Sequence, residues 1–261
     1  MRIKPKKRLG QNFLIDKNIQ RKIIDSLELK PADTVFEIGA GRGELTCLIS
    51  QKVHRVFALE VDPGLCQALK DNLSAFSNAT IINQDVLKFN FKAHLNKIEG
   101  KIKVIGNIPY YISTPIIERL IKSRDKIDTA FITVQKEFAA RMSALPGSKE
   151  YGAFSCFVQY YAEPKILFTI KRTSFFPAPK VDSCLVRLNI RKEPAVFSRN
   201  EKLLFKIIRG AFNKRRKTLR NSLSSIIPPK KLESFFDKYK IDRNTRPERL
   251  SLQDFANLAN T

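Results

Sequence analysis

Short apolar runs alternate with amphipathic segments from Thr34 to Ile190, and amphipathic segments alone follow. Asp16 is placed to cap a helix carrying Ile19, Ile23, Ile24 and Leu27 on one face, closed by Lys30-Pro31-Ala32-Asp33. Runs at 34–38, 55–61, 80–85, 103–105 and 128–134 read as buried strands. Leu65, Leu69 and Leu73 mark one intervening helix. Ile116, Ile117, Leu120 and Ile121 mark another, with Pro115 in its first turn. Gln135-Lys136-Glu137-Phe138 opens a further helix, 146–152 is an exposed loop, and Phe154 to Tyr161 is an apolar segment. Two more strands, 165–171 and 183–190, flank a stiff loop at 175–182. The order predicts an α/β fold: a seven-stranded doubly wound sheet whose last two strands are joined by a hairpin-like loop in place of a helix. Patterning changes near Arg191-Lys192-Glu193-Pro194, so the expected domains are 1–192 and a small all-helical 193–261.

In a sheet of this kind the ligand-bearing groups lie just past the carboxyl ends of the strands. The first strand runs into Glu37-Ile38-Gly39-Ala40-Gly41-Arg42-Gly43-Glu44, where glycines let the backbone approach a ligand closely. A dinucleotide fingerprint would need its third glycine at Glu44, and Glu37 and Glu44 oppose a pyrophosphate. The G-x-G-x-G spacing behind an acid suits a cationic, phosphate-free nucleoside such as S-adenosylmethionine, and with it the class I (Rossmann-like) methyltransferase fold. Glu60, at the end of the second strand, is placed to accept both ribose hydroxyls, with Asp62 capping the next helix. Asp85 follows the third strand and is placed to accept from the adenine amine, with Val86 and Leu87 offering apolar contact.

The fourth strand leads to Asn107-Ile108-Pro109-Tyr110. Asn107 Oδ1 and the Ile108 carbonyl can each accept from an exocyclic amine, Pro109 fixes the bend, and the Tyr110 ring can stack on a base. Two acceptors favour a more pyramidal, more nucleophilic amine nitrogen. The tetrapeptide alone reads equally as a proline turn with a packed tyrosine. Of Phe175 and Phe176, one is expected in the core and the other against a base.

Charge then narrows the partner. The 261 residues are 43% hydrophobic, enough for a proper core, and carry a formal net charge of +23, which points to nucleic acid ahead of a membrane surface. The run Lys214, Arg215, Arg216, Lys217 and Arg220, within Ile207 to Leu223, has almost no acidic relief and reads as a phosphate-binding surface. Lys7 and Arg8 belong to a basic arm whose Phe13 and Leu14 predict docking. No apolar run approaches a membrane span or a signal sequence, so a cytoplasmic protein is expected. Cys47, Cys66, Cys156 and Cys184 are scattered and read as core residues. His54 and His94 are too isolated for zinc or a triad, so no metal is expected.

Together these residues resemble the rRNA adenine N6,N6-dimethyltransferases, of the KsgA type that acts on small-subunit rRNA. The likeness runs nearly end to end. It includes 7–14 (KRLGQNFL), 37–43 (EIGAGRG), 107–110 (NIPY), 175–183 (FFPAPKVDS) and 212–220 (FNKRRKTLR). It implies transfer of two methyl groups from S-adenosylmethionine to N6 of each of two adjacent adenosines. These lie in the hairpin loop near the 3′ end of 16S rRNA, within an assembling small ribosomal subunit. It further implies that Asn12, Leu14, Gly39, Glu60, Asp85 and Asn107 line the cofactor pocket, beside Gly41 and Val86. Asn107, Ile108, Pro109 and Tyr110 would hold the target base, and Phe175 would stack on its other face. The family's commonest form has leucine at Ile108, where the functional atom is a backbone carbonyl. A monomer is expected. The alternatives are an Erm-like enzyme acting on large-subunit rRNA, a non-catalytic RNA-binding relative, and a DNA adenine methyltransferase.

Overall fold

A computed structural model describes residues 5–214 and 217–261. Along the chain, β1 (Phe13–Leu14) precedes α1 (Lys17–Ser26). Then come β2 (Thr34–Ile38), α2 (Glu44–Ser50), β3 (Arg55–Glu60), α3 (Pro63–Asn72), β4 (Ala79–Asn83) and α4 (Phe91–Leu95). They are followed by β5 (Ile102–Asn107), α5 (Ser113–Lys122), β6 (Ile127–Gln135), α6 (Lys136–Ser143) and α7 (Ala153–Tyr161). The strands end with β7 (Ala162–Ile170), β8 (Phe175–Phe176) and β9 (Ser183–Ile190), and α8 (Glu201–Phe212), α9 (Leu219–Leu223), α10 (Pro229–Tyr239) and α11 (Leu252–Asn260) complete the chain.

The seven expected strands form one sheet in the order β4-β3-β2-β5-β6-β9-β7. β4, β3, β2, β5 and β6 run parallel, and β9 returns antiparallel to β6, from Thr129 opposite Asn189 to Gln135 opposite Ser183. Parallel strands are covered on both faces, which is why they read as continuous apolar runs. Val35, Val56, Ile105, Phe131 and Leu185 pack with α1 and α2 on one side. One residue on, Phe36 meets Phe57, Phe89, Phe91 and His94 in an aromatic cluster on the other. Phe36 has no exposed surface. The chain reverses its direction of travel across the sheet between β2 and β5, so a crevice opens between their carboxyl ends.

Helix starts follow the expected chemistry. The Asp16 carboxylate accepts from the N–H groups of Asn18 and Ile19 to cap α1, and Asp62 accepts from Gly64 to cap α3. A two-residue ladder had no sequence signature: β1 pairs antiparallel with β8, Phe13 opposite Phe176 and Leu14 opposite Phe175. This docks the N-terminal arm, as Phe13 and Leu14 suggest.

The chain packs as two compact units, 1–139 with 163–192, and 140–162 with 193–261. A break at 192/193 coincides with the sequence boundary, but 140–162, expected in the first domain, belongs to the second unit. There Tyr160 and Tyr161 pack against Phe205 of α8, and the Ala195 N–H donates to the Tyr160 carbonyl. The basic stretch 207–223 is not one helix: α8 ends at Phe212 and α9 begins at Leu219. Among the described residues, no helix is long and apolar enough to cross a membrane.

Candidate active site

A hollow in the first unit opens at the carboxyl ends of β2 to β5. Asn12, Gly39, Gly41, Glu60, Asp85, Val86, Asn107, Ile108, Pro109 and Tyr110 all line it. Register explains the convergence. Ile38 sits opposite both Leu59 and Gly106, and Glu60 opposite Asn83, so the four strand ends deliver their side chains to one lip.

The glycine turn forms the floor. Gly39 and Gly41 have φ of 76° and 61°, a region a β-carbon disfavours, and a β-carbon on Gly39 would stand 3.5 Å from the Asn107 carbonyl oxygen, inside the hollow. The Glu60 carboxylate spans the turn, Oε2 accepting from the Gly41 N–H and Oε1 from the Asp62 N–H, both at 2.9 Å. Each oxygen keeps a second lone pair for a ligand hydroxyl. Burial raises the Glu60 pKa, and these N–H bonds draw it back toward its ordinary value. Past β4, Asp85 accepts from the Leu87 N–H at 2.8 Å through Oδ1.

Glu37, behind the turn, has a different task. It is buried and accepts from the Thr46 hydroxyl at 2.6 Å. Burial pushes its pKa up to about 8; the Thr46 bond opposes the shift and the charges of Glu44 and Glu60 add to it. Because the folded state holds this proton above the ordinary 4.5, its stabilising effect is complete below about pH 4.5, declines as pH rises and is gone above about 8. Glu37→Gln keeps an acceptor for Thr46 and removes the titration. Urea unfolding from pH 4.5 to 8 should therefore show the variant gaining steadily on the parent as pH rises. A constant offset would assign the pH dependence elsewhere.

The Asn107 amide is oriented. Its Nδ2 donates to the Asn12 carbonyl at 2.8 Å, which leaves Oδ1 available as an acceptor. Ile108 buries its side chain, and the Ile112 N–H closes a turn onto the Pro109 carbonyl. The Tyr110 hydroxyl is tethered to Ser183 Oγ at 2.5 Å, pinning the ring at the start of β9. Burial raises its pKa, so the phenol is neutral and acts as a flat surface.

Two expected residues fall elsewhere. Phe175 is 2% exposed and packs in the core with Leu14 and Ile170, whereas its neighbour Phe176 is 57% exposed. One core ring and one exposed ring were anticipated at this pair, but the buried one is Phe175, so it presents no face to a base in this arrangement. Alternation along β8 decides this, because Phe175 pairs with the buried Leu14. Leu14 itself is in that core and outside the cofactor hollow; its carbonyl accepts from Gln20. The hollow instead takes Leu9, Gly10, Gln11 and Phe13 from the arm and Tyr111 and Ile112 from beyond the tetrapeptide, none of them expected as cofactor contacts and only Phe13 marked in the sequence, as a docking residue. The adjacent docking signal at Phe13-Leu14 pointed to this wall.

No Lys, Arg or His is among the residues lining the hollow, while Glu60 and Asp85 are. That lining suits a cationic nucleoside, with Leu59, Leu65 and Val86 against its apolar parts. Residues 2–261 match the profile of the family described as Ribosomal RNA adenine dimethylase. The chain belongs to this family. The dimethylase relatives include the protein named Ribosomal RNA small subunit methyltransferase A from Alkaliphilus metalliredigens, 44% identical over 97% of this chain and 90% of its own. A protein of the same name from Clostridium botulinum is 41% identical over 97% and 92%. Among solved structures, a dimethyladenosine transferase from Plasmodium falciparum superposes with a TM-score of 0.80 at 26% identity, over 94% of this chain and 95% of the other. The 23S rRNA methyltransferase ErmE gives 0.77 at 25% identity, over 95% and 98%. The α/β sheet of this dimethylase is thus the class I S-adenosylmethionine-dependent methyltransferase fold, and S-adenosylmethionine is its methyl donor.

The candidate RNA contacts are less concentrated. Lys7 lies in a short turn at 7–9 with Arg8, and Lys214 and Lys217 are exposed. Arg220 forms an ion pair with Glu233 of α10 at 3.2 Å, so one member of the run has acidic relief. Arg215 and Arg216 lie outside the described residues.

Proposed function

We infer that this chain is an S-adenosylmethionine-dependent rRNA adenine dimethyltransferase of the small subunit. Its substrate would be two adjacent adenosines in the 3′-terminal hairpin loop of 16S rRNA, within an assembling subunit in the cytoplasm, and it would act as a monomer. The observation that carries the reading is the Asn107 amide, held through its nitrogen by the Asn12 carbonyl and lining a hollow shared with Glu60 and Asp85.

Glu60 would hold the ribose hydroxyls, Asp85 the adenine amine, and Gly39 and Gly41 would admit the nucleoside to the backbone. When bound, the cofactor supplies a methyl group on a sulfonium that is discharged by transfer. Everything else is alignment by the chain's own groups. The target adenine leaves its stack and lies on the Tyr110 ring. Asn107 Oδ1 and the Ile108 carbonyl accept its two N6 protons, which disfavours delocalisation of the lone pair into the purine ring. No strong base is needed, because the N6 proton becomes acidic only as the N–C bond forms and is then lost to water. The monomethylated amine keeps one N–H, so one acceptor loses its partner at the second transfer. Lys7, Arg8, Lys214, Arg215, Arg216, Lys217 and Arg220 would meet phosphate, with Arg220 contributing least because Glu233 neutralises it in part.

Incubation with labelled cofactor and naked 16S rRNA, immature small subunits or 23S rRNA tests this reading. The expected label maps to two neighbouring 16S adenosines as N6,N6-dimethyladenine, with the large-subunit RNA unmodified. Label in 23S rRNA would favour the activity named for ErmE, whose fold is nearly as similar. Absence of transfer with intact cofactor binding would favour a non-catalytic RNA-binding role.

A further inference from the structure

The outer wall of the cofactor hollow is residues 9–13 of the N-terminal arm, and the arm is held at both ends. Its carboxyl end is continuous with the β1–β8 ladder, reinforced by the Ile15 N–H bonded to the Ser174 carbonyl at 2.9 Å. Among the described residues, its amino end is tied to the Asp62 carboxylate through side chains. Lys6 Nζ donates to Asp62 Oδ1 at 2.7 Å, Gln11 Nε2 donates to Asp62 Oδ2 at 3.2 Å, and the Lys6 N–H donates to Gln11 Oε1 at 2.7 Å. Asp62 is 1% exposed, so the pair is shielded on the carboxylate side, although the Lys6 side chain is 41% exposed. Between the two ends, Gly10 packs against the Tyr111 ring and the Asn12 carbonyl receives Asn107 Nδ2.

We propose that Lys6, Gln11 and Asp62 are positioning residues for the methyl transfer, fastening the arm across the cofactor hollow and thereby fixing the orientation of the Asn107 amide. The inference rests on the cofactor reading of the hollow given above. Two consequences follow from one fastening. Passage of the nucleoside past residues 9–13 requires the amino end to lift, because the other end belongs to a ladder. Lifting it also removes the Asn12 carbonyl from Asn107, so the catalytic amide is free to turn its NH₂ toward the target amine whenever the arm is loose. Asp62 stands two residues from Glu60 and donates its N–H to the Glu60 carboxylate. The fastening point and the ribose-binding group therefore share one turn of backbone.

The test measures association and dissociation of S-adenosylmethionine and S-adenosylhomocysteine, with kcat and KM alongside. Lys6→Ala and Asp62→Asn should each raise the dissociation rate about tenfold, the cost of one charge-assisted hydrogen bond. Asn also caps helices, so Asp62→Asn preserves the start of α3. The double variant should be no worse than either single one. Lys6→Arg should restore the parental rate, and added salt should speed dissociation in the parent but not in Lys6→Ala. A structural effect alone would shift the thermal midpoint without this salt signature. Parental dissociation rates in Lys6→Ala, or additive effects in the double variant, would overturn the fastening while leaving the function intact. Failure of the parent protein itself to bind either nucleoside would overturn the reading of the hollow and the fastening with it.

Discussion

Asn107→Ala should lower methyl-transfer turnover roughly 100-fold while RNA affinity changes far less. The size follows from the residue's two contacts. Oδ1 is one of two acceptors for the target amine, and its contribution grows as positive charge develops on nitrogen, so its loss falls on kcat. Nδ2 donates to the Asn12 carbonyl, and alanine leaves that carbonyl unpaired at the arm. Asn107→Asp separates the two. It keeps an acceptor in the same place but turns an anionic oxygen against the Asn12 carbonyl, so it should recover little activity and should loosen the arm. Turnover of Asn107→Ala within a few fold of the parent, measured on the same RNA, would remove the residue from the chemistry. Phosphate-contacting residues should behave in the opposite way, weakening RNA binding in a salt-dependent manner with less effect on the single-turnover rate.

How much of this could be read from the chain follows the range of the interactions involved. Strands such as 34–38 and 128–134 are legible because burial on both faces leaves them mostly apolar, with Glu37 and Thr133 as buried polar exceptions. The glycine turn, Glu60, Asp85 and Asn107 are legible because each lies at a strand end or just beyond it. The topology then brings those ends together, so a local spacing carries tertiary information. What was missed depends on partners distant in sequence. The β1–β8 ladder is two residues long and has no periodicity to detect. Which of Phe175 and Phe176 turns inward is set by the residue opposite, Leu14, 161 positions away from Phe175. Arg220 looks unrelieved until α10 brings Glu233 beside it. The segment 154–161 is apolar enough for either unit, and only its packing on α8 assigns it to the second.

Glu60→Ala should raise the dissociation constant for S-adenosylmethionine on the order of 100-fold, and the isosteric Glu60→Gln should recover little of that loss. Both carboxylate oxygens are already engaged by backbone donors, at Gly41 and Asp62. Alanine strands both N–H groups at the base of the hollow, at about 1–3 kcal/mol each where water cannot replace the partner. It also removes the acceptors for the ribose hydroxyls. The stranded N–H groups cost stability with or without ligand, whereas the two lost charge-assisted bonds to the ribose, at about 1.5–3 kcal/mol each, cover the ~2.7 kcal/mol that corresponds to 100-fold. Glutamine has the right shape but the wrong set of groups. Its amide oxygen can serve one of the two N–H groups, whereas its NH₂ must face the other donor and offers a hydroxyl a donor where a carboxylate offered an acceptor. A carboxylate is therefore required by the protein's own turn before any ligand arrives. Calorimetric titration of the three proteins decides the matter: near-parental affinity in Glu60→Gln would show that shape suffices, and the ribose would have to be held by another group in the hollow.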